Sequence, residues 1–178
     1  MKTSILRLSV FLALTIVLAN AAFALEKNKP VPSSRIEVVG AVKHPITLEL
    51  RDLKEMKGVA ARDCVMAGSH RGFVGIHNYR GALLRDVIDR AELEGKRKEM
   101  VIMVSAADGF RVAISWGELY NCLAGDHMII AYERDGKLLK DDEGFARLII
   151  PTDRYIADRA VKRVTKIEVK KAGRQEIR

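Results

Sequence analysis

Two Asp-Gly pairs, Asp108-Gly109 and Asp135-Gly136, constrain this chain more than any other feature, because each interrupts a run of aliphatic and β-branched residues. Asp-Gly supplies the positive φ angles of a tight hairpin turn. "MVIMVSA" and "FRVAIS" therefore read as one strand pair, and "HMIIAYERDGKLL" as another. "RIEVVG", "PITLEL", "FARLIIP" and "RVTKIEVK" add short strands, and "VAARDCVMAG" with "FVGIHNY" flanks the glycine-bounded loop "GSHRG" as a further hairpin. Helical signals are few and short. "RDLKEMKG" makes a turn or two before Gly58, an apolar stripe of Leu83, Leu84, Val87, Ile88 and Ala91 predicts a helix over Ala82 to Glu92, and "WGELYNCL" starts at the Ser115/Glu118 capping box. Arg80-Gly81 reads as the turn leading into the middle helix. Strands that do not alternate with long helices give a mixed, sheet-rich α+β single domain rather than a doubly wound one.

The first residues carry a different message. Lys2 and Arg7 precede an apolar run from Leu8 to Ala19, followed by the small residues of "ANAAFA". That pattern predicts a secretory signal peptide over 1–24, too short for a spanning helix, which needs ~20 apolar residues. Residues 25–35, with two prolines and two serines, read as a flexible linker, 36–170 as the folded domain and 171–178 as a basic tail. The expected location is outside the cytoplasm, in a periplasm or the extracellular medium, with no transmembrane segment after cleavage. The formal charge is +8, two units of which, Lys2 and Arg7, would leave with the leader. The remaining excess is spread along the chain and aromatics make up 6% of residues, which argues against a nucleic-acid partner.

Common catalytic motifs are absent: there is no G-x-S-x-G, Walker loop, H-E-x-x-H or C-x-x-C. Cys64 and Cys122 are the only cysteines, and three readings stay open for them: a disulfide, a metal thiolate at Cys64, or two separate thiols. Cys64, His70 and His77 contain metal-binding atoms but match no standard zinc spacing. "GSHRG" can turn backbone N–H groups toward an anion, with Arg71 as a clamp and Arg80 beside it if the flanking strands pair, and the alternative is a solvated hairpin tip. Asp141, Asp142 and Glu143 form an acidic loop without the spaced partners of a calcium site.

In order along the chain, "VVGAVKHPITLELRDLKEM", "YRGALLRDVIDRAEL", "SAADGFRVAISWGEL", "IIAYERDGKLL", "GFARLIIPTDR" and "VKRVTKIEV" resemble the molybdopterin-binding domain of the sulfite-oxidase family, in a short stand-alone form. The resemblance covers about residues 36–169 and implies that α+β fold. It also implies a cofactor place: Cys64 as the molybdenum ligand and catalytic residue, and His70, Arg71, Arg80, Arg147, Lys162 and Arg163 as the group holding the pterin phosphate. Two features separate the chain from cofactor-loaded members of the family. No glycine lies between Pro151 and Lys162, and the leader lacks the arginine pair used to export a folded, loaded protein. Two functions are thus expected. The favoured one is an exported, cofactor-free binding or structural module, with a small anion or an envelope protein as partner. The alternative is a molybdopterin-dependent oxidoreductase that transfers oxygen atoms or electrons and needs a separate redox partner.

Overall fold

The computed structural model describes residues 33–140 and 142–172. The expected leader, most of the expected linker, Asp141 and the end of the expected basic tail lie outside the described residues. The chain runs β1 (Ile36–Gly40), β2 (Ile46–Leu48), α1 (Leu50–Glu55), β3 (Gly58–Gly68), β4 (Gly72–Leu83), α2 (Leu84–Asp89), β5 (Met100–Ala106), β6 (Arg111–Ser115), α3 (Trp116–Tyr120), β7 (Ile129–Arg134), β8 (Lys137–Leu138), β9 (Arg147–Ile149), α4 (Ile156–Arg159) and β10 (Val164–Lys171). This is the expected sheet-rich α+β domain.

The strands form two sheets. One has the order β2-β1-β10-β5-β6, and the other β3-β4-β7-β8 with β9 on β7. In the first, β1 and β10 pair in parallel, so the two ends of the folded chain meet inside one sheet. Gly40 makes that pairing close: its φ is +98°, and a Cβ there would fall 2.1 Å from the Val169 carbonyl oxygen. The two Asp-Gly hairpins form as their local chemistry dictates, with positive φ at Gly109, Asp135 and Gly136.

The first four residues of β7, Ile129 to Tyr132, are buried on both faces, which explains why they are continuously apolar instead of alternating. Ile130 and Tyr132 join the large core between the sheets, with Ile36, Val38, Ile102, Val104, Ile167 and the buried side of α2. Ile129 and Ala131 point the other way, into a smaller cluster with Cys64, Met66, Tyr79, Leu83, Ile149, Ile156 and Ala160. The second cluster forms the floor beneath the site described below.

One expected element changes. The Arg80-Gly81 "turn" is strand: β4 continues through Leu83, and α2 starts at Leu84 instead of Ala82 and stops at Asp89. Gly81 is required there by contact. A Cβ would lie 2.2 Å from the Ile130 carbonyl oxygen, so only a bare Cα lets β7 approach. The Ser115/Glu118 capping box forms as expected, with Glu118 N–H donating to Ser115 Oγ at 3.1 Å and Ser115 N–H to Glu118 Oε2 at 2.9 Å.

Candidate anion-binding site

The "GSHRG" segment closes the β3–β4 hairpin, with Gly68 ending one strand and Gly72, at φ +67°, opening the next. Its tip is tied down across the molecule. Ser69 N–H donates to both carboxylate oxygens of Asp158 in α4 at 3.1 Å, and Ser69 Oγ bonds His70 Nδ1 at 3.0 Å. The Ser69 hydrogen bonds in turn hold the Asp158 carboxyl below the ordinary carboxylate range. Helix α4 has only four residues and is itself anchored by Arg159, which reaches Asp153 at 2.8 and 2.5 Å and Glu118 at 3.0 Å.

Between this tip, the β5–β6 turn, the ends of β7 and β9 and the segment after α4 lies a cavity of about 490 Å³. His70, Arg71, Arg147, Lys162 and Arg163 all line it, together with His77, Arg134 and Tyr79, and an apolar rim of Val74 and Phe110. Five of the six side chains expected to hold an anion thus converge from three separate parts of the chain.

Arg147 forms the cavity's rear wall. Its side chain is 8% exposed, it forms an ion pair through Nη1 with the fully buried Glu143, and its Cζ sits 5.7 Å from the centre of the Tyr79 ring. Arg134 approaches the other oxygen of Glu143 at 2.7 Å. Two guanidinium groups therefore share one buried carboxylate. Arg147 Nε is buried and has no hydrogen-bond partner among the described residues, and the same holds for Arg163 Nε. Such donors are costly to leave unpaired. Arg163, at φ +50°, is held by Asp108 at 2.6 Å and by the Asp142 carbonyl at 3.0 Å.

Two expected site residues stand elsewhere. Arg80 follows Tyr79 in β4 and so points to the opposite face, where it lines a separate depression with Arg62, Asp63 and Glu133. Its convergence with Arg71 does not occur. Cys64 is 2% exposed within the smaller core cluster and does not line the cavity. A bulge between Ala61 and Cys64, with Asp63 at φ +50°, turns the thiol inward. Burial, and secondarily Asp63, push its pKa up, which favours the thiol over the thiolate in the metal-free chain. Cys122 is exposed, and both cysteines are free, which corresponds to the reading of two separate thiols. No group of three or more His, Cys, Asp or Glu side chains among the described residues is placed to hold a metal, so Cys64, His70 and His77 do not assemble into one.

Sequence reasoning missed Arg134, Tyr79 and Glu143. Glu143 sat in a run of three acidic residues with the look of a solvated loop, and no local pattern distinguished it from its neighbours.

A family model described as "oxidoreductase molybdopterin binding domain" matches residues 26–177. Among solved structures, the sulfane dehydrogenase SoxCD from Paracoccus pantotrophus superposes with a TM-score of 0.60 at 17% sequence identity, over 77% of this chain and 38% of that one. At that identity the likeness is one of fold, and this chain spans well under half the length of that protein. No curated protein matches the chain.

Proposed function

Because this chain belongs to the family of oxidoreductase molybdopterin-binding domains yet keeps Cys64 out of its basic cavity, we propose that it is an exported, cofactor-free binding module whose cavity takes one small oxyanion. The observation that carries this reading is the convergence of His70, Arg71, Arg147, Lys162 and Arg163 on one cavity whose rear wall is a buried arginine with a spare donor.

The pterin cofactor of the family can be tested against these residues in two halves. The cationic side chains suit an anionic group such as its phosphate. The metal half does not fit by position: a molybdenum ligand must be a sulfur facing the cavity, and Cys64 is buried in the apolar cluster beneath it and does not line it. No redox step is therefore assigned to the chain. Export is proposed from the leader-like residues 1–24, and among the described residues no helix is long and apolar enough to cross a membrane.

The test is native mass measurement and molybdenum analysis on protein purified from its own host, followed by calorimetric titration with sulfate. The reading expects a bare polypeptide mass and a single sulfate site that Arg71→Ala and Lys162→Ala each weaken several-fold. Molybdenum near one per chain, lost in Cys64→Ser, would overturn it in favour of the oxidoreductase reading. A silent titration would remove the oxyanion site.

A further inference from the structure

His77 is built into the cavity in a way that an oxyanion clamp alone does not need. It lines the cavity from β4, and its Nδ1 is 2.8 Å from Asp135 Oδ2 in the β7–β8 turn. The other Asp135 oxygen accepts the Asn78 N–H at 2.9 Å, so the carboxylate is fixed from two sides. That Asn78 bond, and then His77, hold the Asp135 carboxyl below the ordinary range, keeping it an acceptor. A carboxylate cannot donate, so Nδ1 must carry the ring's hydrogen, and in the neutral ring Nε2 is left as a bare acceptor. Gly75 clears the space around that atom: a Cβ there would come within 3.0 Å of Nε2.

Its surroundings have the opposite character. Arg71, Arg134, Arg147, Lys162 and Arg163 can only donate. The carboxylates at the cavity are already engaged, Asp108 by Phe110 N–H and Arg163, and Asp158 by Ser69 N–H. His77 Nε2 makes no hydrogen bond among the described residues. A free acceptor set among so many donors is what an anion with a hydrogen of its own requires.

We propose that His77, oriented by Asp135 and given room by Gly75, makes the cavity selective for an oxyanion that retains a proton, namely free hydrogen phosphate, over fully deprotonated anions of the same size. This rests on the oxyanion reading and deepens it. Phosphate presents a P–OH to Nε2, whereas sulfate presents a lone pair to a lone pair. A site that hydrogen-bonds a ligand hydroxyl rejects the analogue lacking it. With the His77 side chain 28% exposed, water relieves part of that mismatch, and the expected discrimination is about tenfold.

The experiment titrates the full chain with inorganic phosphate, sulfate and methyl phosphate at about pH 8.5, where inorganic phosphate still carries one hydrogen. Phosphate is expected to bind about tenfold more tightly than sulfate, and methyl phosphate, deprotonated at that pH, to behave like sulfate. Asp135→Asn tests the orientation. Asparagine tolerates the positive φ at this turn, and its amide can donate to Nδ1, which moves the ring's hydrogen to Nε2. The phosphate-to-sulfate ratio should then fall to unity or below while sulfate binding persists, whereas a merely structural role would weaken both anions in parallel. His77→Phe should likewise lose the ratio and keep sulfate. Nitrogen-15 shifts of the ring report directly which nitrogen carries hydrogen. Equal affinities in the wild type, an unchanged ratio in Asp135→Asn, or hydrogen on Nε2 in the wild type would each overturn the inference and leave the oxyanion site standing. No binding of any of the three anions would overturn both.

Discussion

Glu143→Gln isolates the charge at the back of the cavity while keeping the size and one acceptor of the side chain. In the native protein Glu143 is fully buried, paired with Arg147, and lies 2.7 Å from Arg134. Neutralising it leaves two guanidinium groups facing an amide. Breaking a buried ion pair costs about 3–5 kcal/mol. Arg134 keeps 26% of its side chain exposed and can turn toward water, while Arg147 at 8% cannot, so the lower end of that range applies, about 3 kcal/mol. For a domain of this size that corresponds to a fall in Tm of roughly 6–12 °C. Urea unfolding at neutral pH measures it, with Arg147→Met and the double variant completing a cycle. The double variant should recover about 2 kcal/mol or more relative to the sum of the single changes. At the same time sulfate should bind Glu143→Gln more tightly than the wild type, because the surplus positive charge at the cavity wall has grown by one. A loss below about 1 kcal/mol, or weaker sulfate binding by a variant that remains folded, would refute the view that Glu143 balances the two arginines.

Further outcomes follow from the packing and the titrating groups. Gly81→Ala places a Cβ 2.2 Å from the Ile130 carbonyl oxygen and should prevent β4 and β7 from pairing; circular dichroism and soluble yield check it, and a folded variant with native stability would contradict the close approach. Cys122 should react with a thiol reagent at neutral pH at the rate of an exposed thiol, while Cys64 reacts only on unfolding, as mass spectrometry of labelled protein resolves. The carboxyl of Asp108 is lowered chiefly by Phe110 N–H and then by Arg163, that of Asp135 chiefly by Asn78 N–H, and that of Asp158 by the Ser69 hydrogen bonds. Carboxyls with folded-state pKa values below their unfolded ones add stability above the unfolded value near 4, and it is lost as pH falls through the lowered values. Acid unfolding should therefore steepen below about pH 4, and Asp108→Asn should flatten that limb.

Local chemistry was legible in the sequence and long-range geometry was not. The Asp-Gly hairpins and the Ser115 capping box depend on residues within a few positions of each other, and they formed as expected. Gly81 shows where such reasoning stops. A glycine at the end of a strand looks the same whether it turns the chain or admits a neighbouring backbone, and here Ile130, far along the chain, decides. The facing of Cys64 depends on a single extra residue at the Asp63 bulge, which reverses the alternation that the pattern alone would give. Helix α4 went unread because its four residues have too little periodicity to register and are held by Arg159 instead. Five of the six basic residues do line one cavity, but they were singled out by family likeness; nothing in their own spacing brings together the β3–β4 tip, β9 and the segment after α4.

The charge balance of the cavity sets the size of what it can hold. Five permanent cations line it, Arg71, Arg134, Arg147, Lys162 and Arg163, but most are already answered. Arg163 has Asp108, Lys162 has Asp142 at 3.8 Å, and Arg134 and Arg147 divide Glu143 between them. What is left is Arg71, which has no ion pair among the described residues, and one surplus charge at Glu143, set against the Asp158 carboxylate, whose hydrogen bonds from Ser69 N–H leave its charge in place. A polyanion would have to strip Asp108 or Asp142 from its partner and leave that carboxylate facing the ligand, with like charges repelling at close range. A single oxyanion meets the surplus without breaking an existing pair, and it supplies an acceptor where Arg147 Nε and Arg163 Nε have none. Asp108→Asn provides the opposite case. Releasing Arg163 should raise the usable charge by one and tighten pyrophosphate more than sulfate, and an equal gain for both would show that the carboxylates do not limit the ligand.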